Sequence, residues 1–261
     1  MQTTDQMGRE VAVPDQIHSI VSLVPSQTEL LSYLGLDDKI VGITKFCIHP
    51  EHIYRTKTRV GGTKQINLEQ IATLQPDLII GNKEENDQTQ IEALMCEYPV
   101  WMSDIKTLDD AYQMIGMLGA VVQKQKEAAT LLVALKTRFN NLANGLVGQA
   151  PKRIAYFIWK DPWMVAGGNT FIDSMLEAGG FENAFKDQSR YPEVTLSDLG
   201  ESQLDGVLLS SEPYPFKDKH IQELKAVCNC DVALADGELF SWYGPRLLGS
   251  TEELIRVRGL L

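Results

Sequence analysis

Two stretches decide the fold: residues 67–80, with the sequence NLEQIATLQPDLII, and residues 195–208, with the sequence TLSDLGESQLDGVL. Each begins with a residue that can cap a helix, Asn67 or Thr195, and continues as a short amphipathic helix. An aspartate stands ten residues after each cap and precedes an apolar strand. Because the copies lie in opposite halves of the chain, they predict two α/β lobes built to one plan, with a ligand cleft between them. The alternative is that the chain simply reuses a helix–strand unit common to α/β proteins.

Length and composition restrict the class of protein. Apolar residues make up 44% and charged residues 23% of the 261-residue chain, as in an ordinary globular protein with a full core. The formal net charge of −11 argues against nucleic acid or an anionic membrane as a partner, because both need clustered lysine and arginine. No apolar stretch approaches the roughly 20 residues that span a bilayer. Four cysteines are too few for a disulfide framework, and we expect buried or free thiols.

The beginning of the sequence bears on location. It has no charged segment followed by an apolar one, the pattern that directs secretion. We therefore expect either the mature form of a periplasmic or cell-envelope protein or, as the alternative, a cytoplasmic protein.

Strand and helix signals alternate in both halves, which predicts largely parallel sheets. Between the repeats, apolar residues recur every three or four positions over residues 124–146. At about 1.5 Å per residue this helix would extend about 34 Å and act as a stiff strut, with little lobe closure on binding. The fold class is α/β, with two Rossmann-like lobes joined by one long rigid helix. We predict an N-terminal lobe over residues 1–122, the connecting helix over 123–147 and a C-terminal lobe over 148–261.

Local signals predict where individual helices begin. Ser26 and Glu29 have the spacing of a capping box, which predicts a helix over residues 30–34 that ends at Gly35. Pro245 stands where we expect the first residue of the final helix.

Catalytic motifs would indicate an enzyme. The chain has no G-x-S-x-G elbow, no H-E-x-x-H, no phosphate-binding loop and no G-x-G-x-x-G after a strand. His49 and His52 are close in sequence, but two histidines on a loop are more often solvated than bound to a metal. Cys228 and Cys230 have no histidine pair nearby, which argues against zinc. We expect a protein that is not an enzyme and has no catalytic residues, no metal site and no cofactor.

Large aromatic side chains follow several predicted strands. Ligands of open α/β sheets bind outside the carboxyl ends of strands, so aromatic residues in these loops are candidates to line a cleft for a flat or bulky ligand. For any one of them the alternative is a position in the core. The candidates are Phe46, Trp159, Trp163, Tyr191, Phe240, Trp242 and Tyr243.

Together with the first repeat, residues 21–30 (VSLVPSQTEL) and 241–246 (SWYGPR) form a family pattern. In the order and spacing of these motifs, over residues 16–258, the chain resembles the helical-backbone class of ABC-importer substrate-binding proteins, which carry cobalamin, haem and ferric siderophores. The resemblance implies a protein that binds a corrinoid in the cleft and delivers it to a permease. The alternatives are a ferric-siderophore or haem carrier of the same class, and a cytoplasmic corrinoid-handling protein or enzyme on the same fold.

The same resemblance implies roles for individual residues. Two tryptophans of the cobalamin-binding pattern are replaced here, one near Thr63 and one by Asn82. An anionic siderophore would need cations at the cleft, where Lys160, Arg190 and Arg246 are the candidates. The implied ligand-binding set is Phe46, Trp159, Trp163, Tyr191, Glu238, Trp242, Tyr243 and Arg246.

The resemblance also implies one carboxylate on each lobe that docks onto the permease. Glu69 matches the first, and the second falls on Ser197 or its neighbour Asp198, of which we choose Asp198. Charges at the rim of an interface guide orientation and association rate, whereas the alternative for Asp198 is a carboxylate favoured by the helix dipole. The expected partners are the permease, an ATPase and a small metal chelate. We expect a monomer with no nucleic acid partner and no membrane insertion.

Overall fold

Strands alternate with helices along both halves of the chain. The computed structural model describes all 261 residues, apart from the side chain of Glu201. The elements of the first half are β1 (Gln2–Thr4), β2 (Glu10–Ala12), β3 (Ile20–Ser22), α1 (Pro25–Tyr33), β4 (Ile40–Ile43), α2 (Glu51–Thr56), β5 (Thr58–Arg59), α3 (Leu68–Leu74), β6 (Leu78–Asn82), α4 (Gln88–Met95), β7 (Val100–Ser103) and α5 (Leu108–Val121). After α6 (Gln125–Gly145) follow β8 (Lys152–Trp159), β9 (Met164–Val165), α7 (Phe171–Ala178), β10 (Phe181–Asn183), α8 (Leu196–Glu201), β11 (Gly206–Ser210), α9 (Asp218–Lys225), β12 (Asp231–Ala235), α10 (Gly237–Ser241) and α11 (Leu247–Leu260).

Each half forms a parallel sheet of the same plan. The strand order is β5-β4-β3-β6-β7 in the first sheet and β10-β8-β11-β12 in the second, where β9 pairs antiparallel with β8. In both parallel sheets the strand of the repeat, β6 or β11, pairs with the first strand of that sheet along the chain, β3 or β8. The predicted α/β class with parallel sheets is confirmed. In a parallel sheet all strands end at the same edge, so the loops that follow them are neighbours.

The aspartate of each repeat has the same structural role. Asp77 accepts hydrogen bonds from the backbone N–H groups of His18 at 2.7 Å and Ser19 at 3.0 Å, and Asp205 accepts one from Arg153 at 2.6 Å. Each carboxylate thus joins the start of the repeat strand to the start of its neighbour. Burial alone would raise the pKa of Asp77, but these hydrogen bonds outweigh burial and hold the pKa below its ordinary value of 3.8.

The chain divides into two compact units. The N-terminal unit comprises Met1–Ile105, Asp109–Leu132 and Tyr243–Pro245. The C-terminal unit comprises Lys106–Leu108, Val133–Trp242 and Arg246–Leu261. The N-terminal unit thus includes a short segment from near the end of the chain, which our sequence-based division at residues 122 and 148 assigned to the C-terminal lobe.

Helix α6 is one continuous helix of 21 residues that passes from one unit into the other. The apolar stripe read from the sequence is its buried side: Ala128, Leu131, Leu135, Phe139 and Leu142 are each at most 7% exposed. Burying a large apolar side chain contributes about 1.5–3 kcal/mol, so packing of this stripe accounts for most of the stability of the helix. Within the described part of the chain, no helix combines the length and apolar character needed to cross a membrane.

Helix α1 begins earlier than predicted. Its first residue is Pro25, its N-cap is Val24, and no side chain caps it, so the expected capping box with a helix start at residue 30 is wrong. Proline at the first helical position has a φ suited to a helix and lacks the N–H that would need a cap. The final helix also differs, because Arg246 rather than the residue before Pro245 is its N-cap.

Candidate functional site

Phe46 is the exposed aromatic residue of the loop that follows β4 in the N-terminal unit. Its side chain is 50% exposed, and the Lys45 ammonium lies 5.1 Å from its ring centroid. The ring lies against the backbone of the turn before α3, where a Cβ added to Gly62 would be 3.2 Å from Phe46 Cε2. The ring therefore contacts the turn before α3, and half of the side chain remains accessible.

Polar side chains are buried at the carboxyl end of β6. Asn82 is 2% exposed and donates from Nδ2 to Ser103 Oγ at 2.9 Å, and Gln27 Nε2 donates to the same oxygen at 2.6 Å. Because the Asn82 side chain is buried and hydrogen-bonded in this network, it offers no accessible contact surface where the family pattern has a tryptophan. Thr63, at the other replaced position, accepts a hydrogen bond at its carbonyl oxygen from Asn86 Nδ2 at 3.1 Å.

Trp159 is the last residue of β8 and therefore stands at the carboxyl end of the C-terminal sheet. It is 40% exposed, and its ring packs edge-on against Tyr214 at a centroid distance of 5.6 Å. Tyr214 packs in turn on Phe216 at 4.7 Å. Tyr214 was not among the predicted residues, although its position between Pro213 and Pro215 just after a strand is a detectable signal, because two prolines restrict the loop.

Trp163 lies against the core of the C-terminal unit. Its ring is stacked on Phe216 at 6.1 Å with an interplanar angle of 6°, and it meets Phe157 edge-on at 5.5 Å. The Lys160 ammonium lies 4.9 Å from the Trp163 ring centroid and pairs with Glu223. Trp163 thus occupies the core-like position that was the alternative for these aromatic residues, and its part in ligand binding stays a prediction.

Glu212 is a carboxylate that sequence analysis missed. It follows the end of β11 and accepts hydrogen bonds from Trp242 Nε1 at 2.8 Å and from Ser241 Oγ at 2.9 Å. Burial, together with the nearby carboxylates of Glu238 and Asp236, raises its pKa above the ordinary value of 4.5 despite these hydrogen bonds. A glutamate after a strand is too common a pattern to single it out from sequence.

Three of the predicted residues contact one another in sequence near this carboxylate: Trp242 contacts Arg246, and Arg246 pairs with Glu238. Trp242 is 8% exposed and follows α10, and the Arg246 guanidinium lies 4.9 Å from its ring centroid. Arg246 Nη1 pairs with Glu238 Oε2 at 2.7 Å. The structure therefore brings three sequence-predicted residues together, and one of them, Trp242, donates to Glu212. Phe240, by contrast, is 1% exposed and packs on Tyr156, which makes it a core residue.

The remaining two aromatic candidates belong to different units. Tyr191 is half-buried in the loop between β10 and α8 of the C-terminal unit. Tyr243 is 6% exposed and belongs to the segment that completes the N-terminal unit. Their roles in ligand binding stay predictions.

Glu69 and Asp198, the predicted docking residues, are both exposed and lie in the first turns of α3 and α8. Asp198 also accepts hydrogen bonds from the backbone N–H of Thr195 at 2.6 Å and from its hydroxyl at 2.9 Å. These bonds lower the pKa of Asp198, and the backbone bond forms a capping box together with the bond from Asp198 N–H to Thr195 Oγ1 at 3.3 Å. Asp198 therefore has a local structural role that Glu69 does not share, since Asn67 alone caps α3.

The described side chains include no group of three or more His, Cys, Asp and Glu residues placed to hold a metal ion. His52 hydrogen-bonds instead to Asp37 at 2.7 Å. All four cysteines are free thiols, and Cys47 and Cys228 are buried.

Comparisons with known proteins agree with this architecture. A sequence model of the family described as periplasmic binding protein matches residues 20–230. The chain is 25% identical over 264 residues to YvrC, an uncharacterized ABC transporter substrate-binding lipoprotein of Bacillus subtilis (strain 168), covering 96% of this chain and 82% of the relative. It is 26% identical over 253 residues to a vitamin B12-binding protein of Vibrio vulnificus (strain CMCP6), covering 91% of this chain and 89% of the relative.

A solved structure shows the same fold. The crystal structure of BtuF, the periplasmic vitamin B12-binding protein of Vibrio cholerae, matches with a TM-score of 0.81 at 24% sequence identity. The match covers 93% of this chain and 97% of the other, so the likeness extends over both units.

Proposed function

The chain belongs to the periplasmic binding protein family, and from this premise we propose that it binds a corrinoid and delivers it to the permease of an ABC importer. It is a substrate-binding protein of the class that serves importers of vitamin B12, siderophores and haem. Its relatives are binding proteins of transport systems rather than enzymes. Proteins of this family serve ABC transporters, which implies a permease and an ATPase as partners.

The observation that carries the corrinoid proposal is the exposure of large aromatic side chains directly after strands of both sheets. Phe46 is 50% exposed after β4, and Trp159 is 40% exposed at the end of β8. Flat ring faces of this kind suit a large, partly apolar macrocycle, because aromatic side chains bury much area at little loss of side-chain freedom. The vitamin B12-binding relative, similar over nearly the whole length of both chains, supports the same ligand.

Haem or a ferric siderophore is the second candidate. It is favoured by Lys45, an exposed cation whose ammonium lies 5.1 Å from the Phe46 ring centroid. A cation beside an aromatic face could attract the propionates of haem or an anionic siderophore.

Quenching of tryptophan fluorescence tests the proposal. The chain has four tryptophans, and Trp159 is the most exposed of them. We expect cyanocobalamin to quench the emission saturably, and Trp159→Ala to weaken its binding by about tenfold or more. Trp101→Phe is the matched control, because Trp101 is wholly buried in the N-terminal unit.

The outcomes separate the candidates. Saturable quenching by a ferric siderophore or haemin but not by cyanocobalamin would overturn the corrinoid assignment and favour the second candidate. Absence of binding to all three chelates would overturn the carrier function itself.

We propose that Glu69 and Asp198 contact the permease. Both carboxylates are exposed in the first turns of equivalent helices, where they can approach arginine side chains of a partner. Charges of this kind affect orientation and association rate more than final affinity.

A further inference from the structure

Arg246 is a charge-compensated cation in the C-terminal unit. Its guanidinium pairs with Glu238 at 2.7 Å and lies 4.9 Å from the Trp242 ring centroid. The side chains of Arg246 and Glu238 are only 19% and 18% exposed, so water and salt screen this pair weakly. The donors of Arg246 that face Glu238 are therefore already used.

Lys160 is also compensated, although its partner Glu223 is 40% exposed, so water and salt screen this pair more than the Arg246–Glu238 pair. Its ammonium pairs with Glu223 and lies 4.9 Å from the Trp163 ring centroid. The Lys160 side chain is 17% exposed, close to the value for Arg246. Each of these two cations thus lies between a carboxylate and an indole ring.

Beside the Lys160 pair, His220 adds no positive charge, whereas Lys219 lies close enough to His220 to lower its pKa. His220 is buried next to Tyr214 and Phe216, and burial, followed by nearby lysines, lowers its pKa below the ordinary value of 6.5. It is therefore mainly uncharged at neutral pH. Glu212, under Trp242, adds a further carboxyl group.

This arrangement has a consequence for the charge of a ligand. An anion that approached Arg246 or Lys160 would have to displace a carboxylate or accept repulsion from it, and either costs free energy. An uncharged ligand with amide N–H donors meets no such penalty, because carboxylate oxygens can accept from those groups while they keep their ion pairs. Lys45 of the N-terminal unit is exposed, so its attraction for an anion is weakened by water and salt.

Resting on the proposed carrier function, we infer that Glu223 and Glu238 are specificity-determining residues, which cancel Lys160 and Arg246 and make the protein select uncharged chelates over anionic ones. A corrinoid, whose periphery carries amide groups, belongs to the selected class. Haem, with its propionates, and ferric tris-catecholates belong to the rejected class.

Matched ligand pairs test the inference. The pairs are cyanocobalamin and its monocarboxylate derivative, haemin dimethyl ester and haemin, and a ferric tris-hydroxamate and a ferric tris-catecholate. In each pair the first member carries less negative charge than the second. Within whichever pair binds, we expect the wild-type protein to favour the less negative member.

Isosteric variants identify the residues responsible. Glu238→Gln and Glu223→Gln keep a hydrogen-bonding oxygen but remove the charge, which releases Arg246 or Lys160 to the ligand. We expect each variant to reduce the wild-type preference by about tenfold, the effect of one charge-assisted hydrogen bond. Glu252→Gln is the matched control, because Glu252 also pairs with an arginine, Arg138, away from the proposed ligand-binding residues.

The possible results are distinct. A wild-type preference for the anionic member, or a preference that neither variant alters, would overturn the inference while leaving the carrier function intact. Absence of binding to every chelate would overturn the carrier function and the inference together. Far-UV circular dichroism of both variants shows whether they fold, and the two substitutions provide independent measurements.

Discussion

At the scale of single residues, Glu212 shows how surroundings decide the behaviour of a carboxyl group. It is held by Trp242 and Ser241, yet burial raises its pKa above 4.5. A carboxyl group whose pKa is higher in the folded than in the unfolded state favours folding when protonated. Its favourable contribution is complete below the unfolded-state pKa and is lost as the pH rises through the folded-state pKa.

Glu212→Gln tests this linkage. The variant keeps an acceptor for Trp242 Nε1 but cannot ionise. We expect the free energy of unfolding of the wild-type protein, relative to the variant, to fall as the pH rises above about 4.5, the ordinary glutamate value. Urea denaturation of both proteins across this range measures the difference. A difference that is constant with pH would contradict the assignment of a raised pKa to Glu212.

Gly237 is the residue that allows Glu212 to lie where it does. A Cβ at this position would stand 2.4 Å from Ser210 Oγ and 2.6 Å from Glu212 Cγ, distances that real Cβ atoms do not reach. We expect Gly237→Ala to lower the free energy of unfolding by about 1–3 kcal/mol, because the loops after β11 and β12 must separate. Gly259→Ala is the control, since nothing lies within 4 Å of the added atom, and should be neutral or stabilising by up to about 1 kcal/mol. Equal effects of the two substitutions in thermal or urea unfolding would refute this account.

The sequence could predict which strand a side chain follows, but not which way it points. Phe46 and Trp159 were predicted from their position after strands, and both are exposed in the structure. Phe240 was a candidate for the same reason, yet it is buried because α10, a helix too short to show periodicity, turns its ring towards Tyr156. Glu212 had no signal, since its role depends on partners 29 and 30 residues away.

At the scale of secondary-structure elements, the repeated aspartates explain how β6 and β11 are anchored. Asp77 accepts from two backbone N–H groups at the start of the neighbouring strand, and its pKa is lowered. A carboxylate with a lowered pKa contributes stability above the unfolded-state pKa, and this contribution disappears as the pH falls through the folded-state value. The ionised form of Asp77 therefore stabilises the junction of β3 and β6.

Asp77→Asn removes the charge and keeps one acceptor oxygen. We expect the free energy of unfolding at neutral pH to fall by about 1–2 kcal/mol, because charge-assisted hydrogen bonds become neutral ones. The difference from wild type should shrink as the pH falls below about 3.8. Asp38→Asn, at an exposed position of the same unit, is the control for an unspecific charge effect. An equal loss from both substitutions in urea unfolding would argue against the anchoring role.

Sequence signals predicted a helix correctly where one physical cause determined its formation. The apolar stripe of α6 and the caps Asn67 and Thr195 predicted helices that the structure contains. At α1 two signals competed, and Pro25 determined the start because a proline at the first helical position needs no side-chain cap. The short elements α2, α10 and the β1–β2 hairpin were not predicted, because a few residues carry too little periodicity.

At the scale of the whole molecule, the proposed permease contact can be separated from ligand binding. We expect Glu69→Arg to reduce uptake of labelled ligand about tenfold or more while leaving ligand affinity unchanged, because reversal places like charges together at the permease. Ser197→Arg and Asp198→Arg distinguish the two positions that match the second docking residue. Asp198→Arg should also lower stability through loss of the capping box, whereas Ser197→Arg should not.

Uptake in a strain that carries each variant in place of the wild-type gene, together with ligand titration and urea unfolding of the purified proteins, measures all three effects. Asp38→Arg controls for a general change in surface charge. Full uptake by the Glu69→Arg protein would exclude Glu69 from the contact.

The duplicated plan was readable from sequence because each copy keeps its cap, its aspartate and its apolar strand. The assignment of Tyr243–Pro245 to the N-terminal unit was not readable, because it depends on packing between segments far apart in sequence. A repeated sequence pattern predicts the structure that the two halves share. It cannot predict a segment that belongs to only one of the two units.

The inclusion of Tyr243–Pro245 in the N-terminal unit matters for any attempt to produce the two units separately. Cutting the chain once within α6 would leave the N-terminal fragment without Tyr243–Pro245, a segment that belongs to its unit. Expressing the N-terminal unit alone would require that this segment be supplied as a peptide or be joined to the unit by circular permutation.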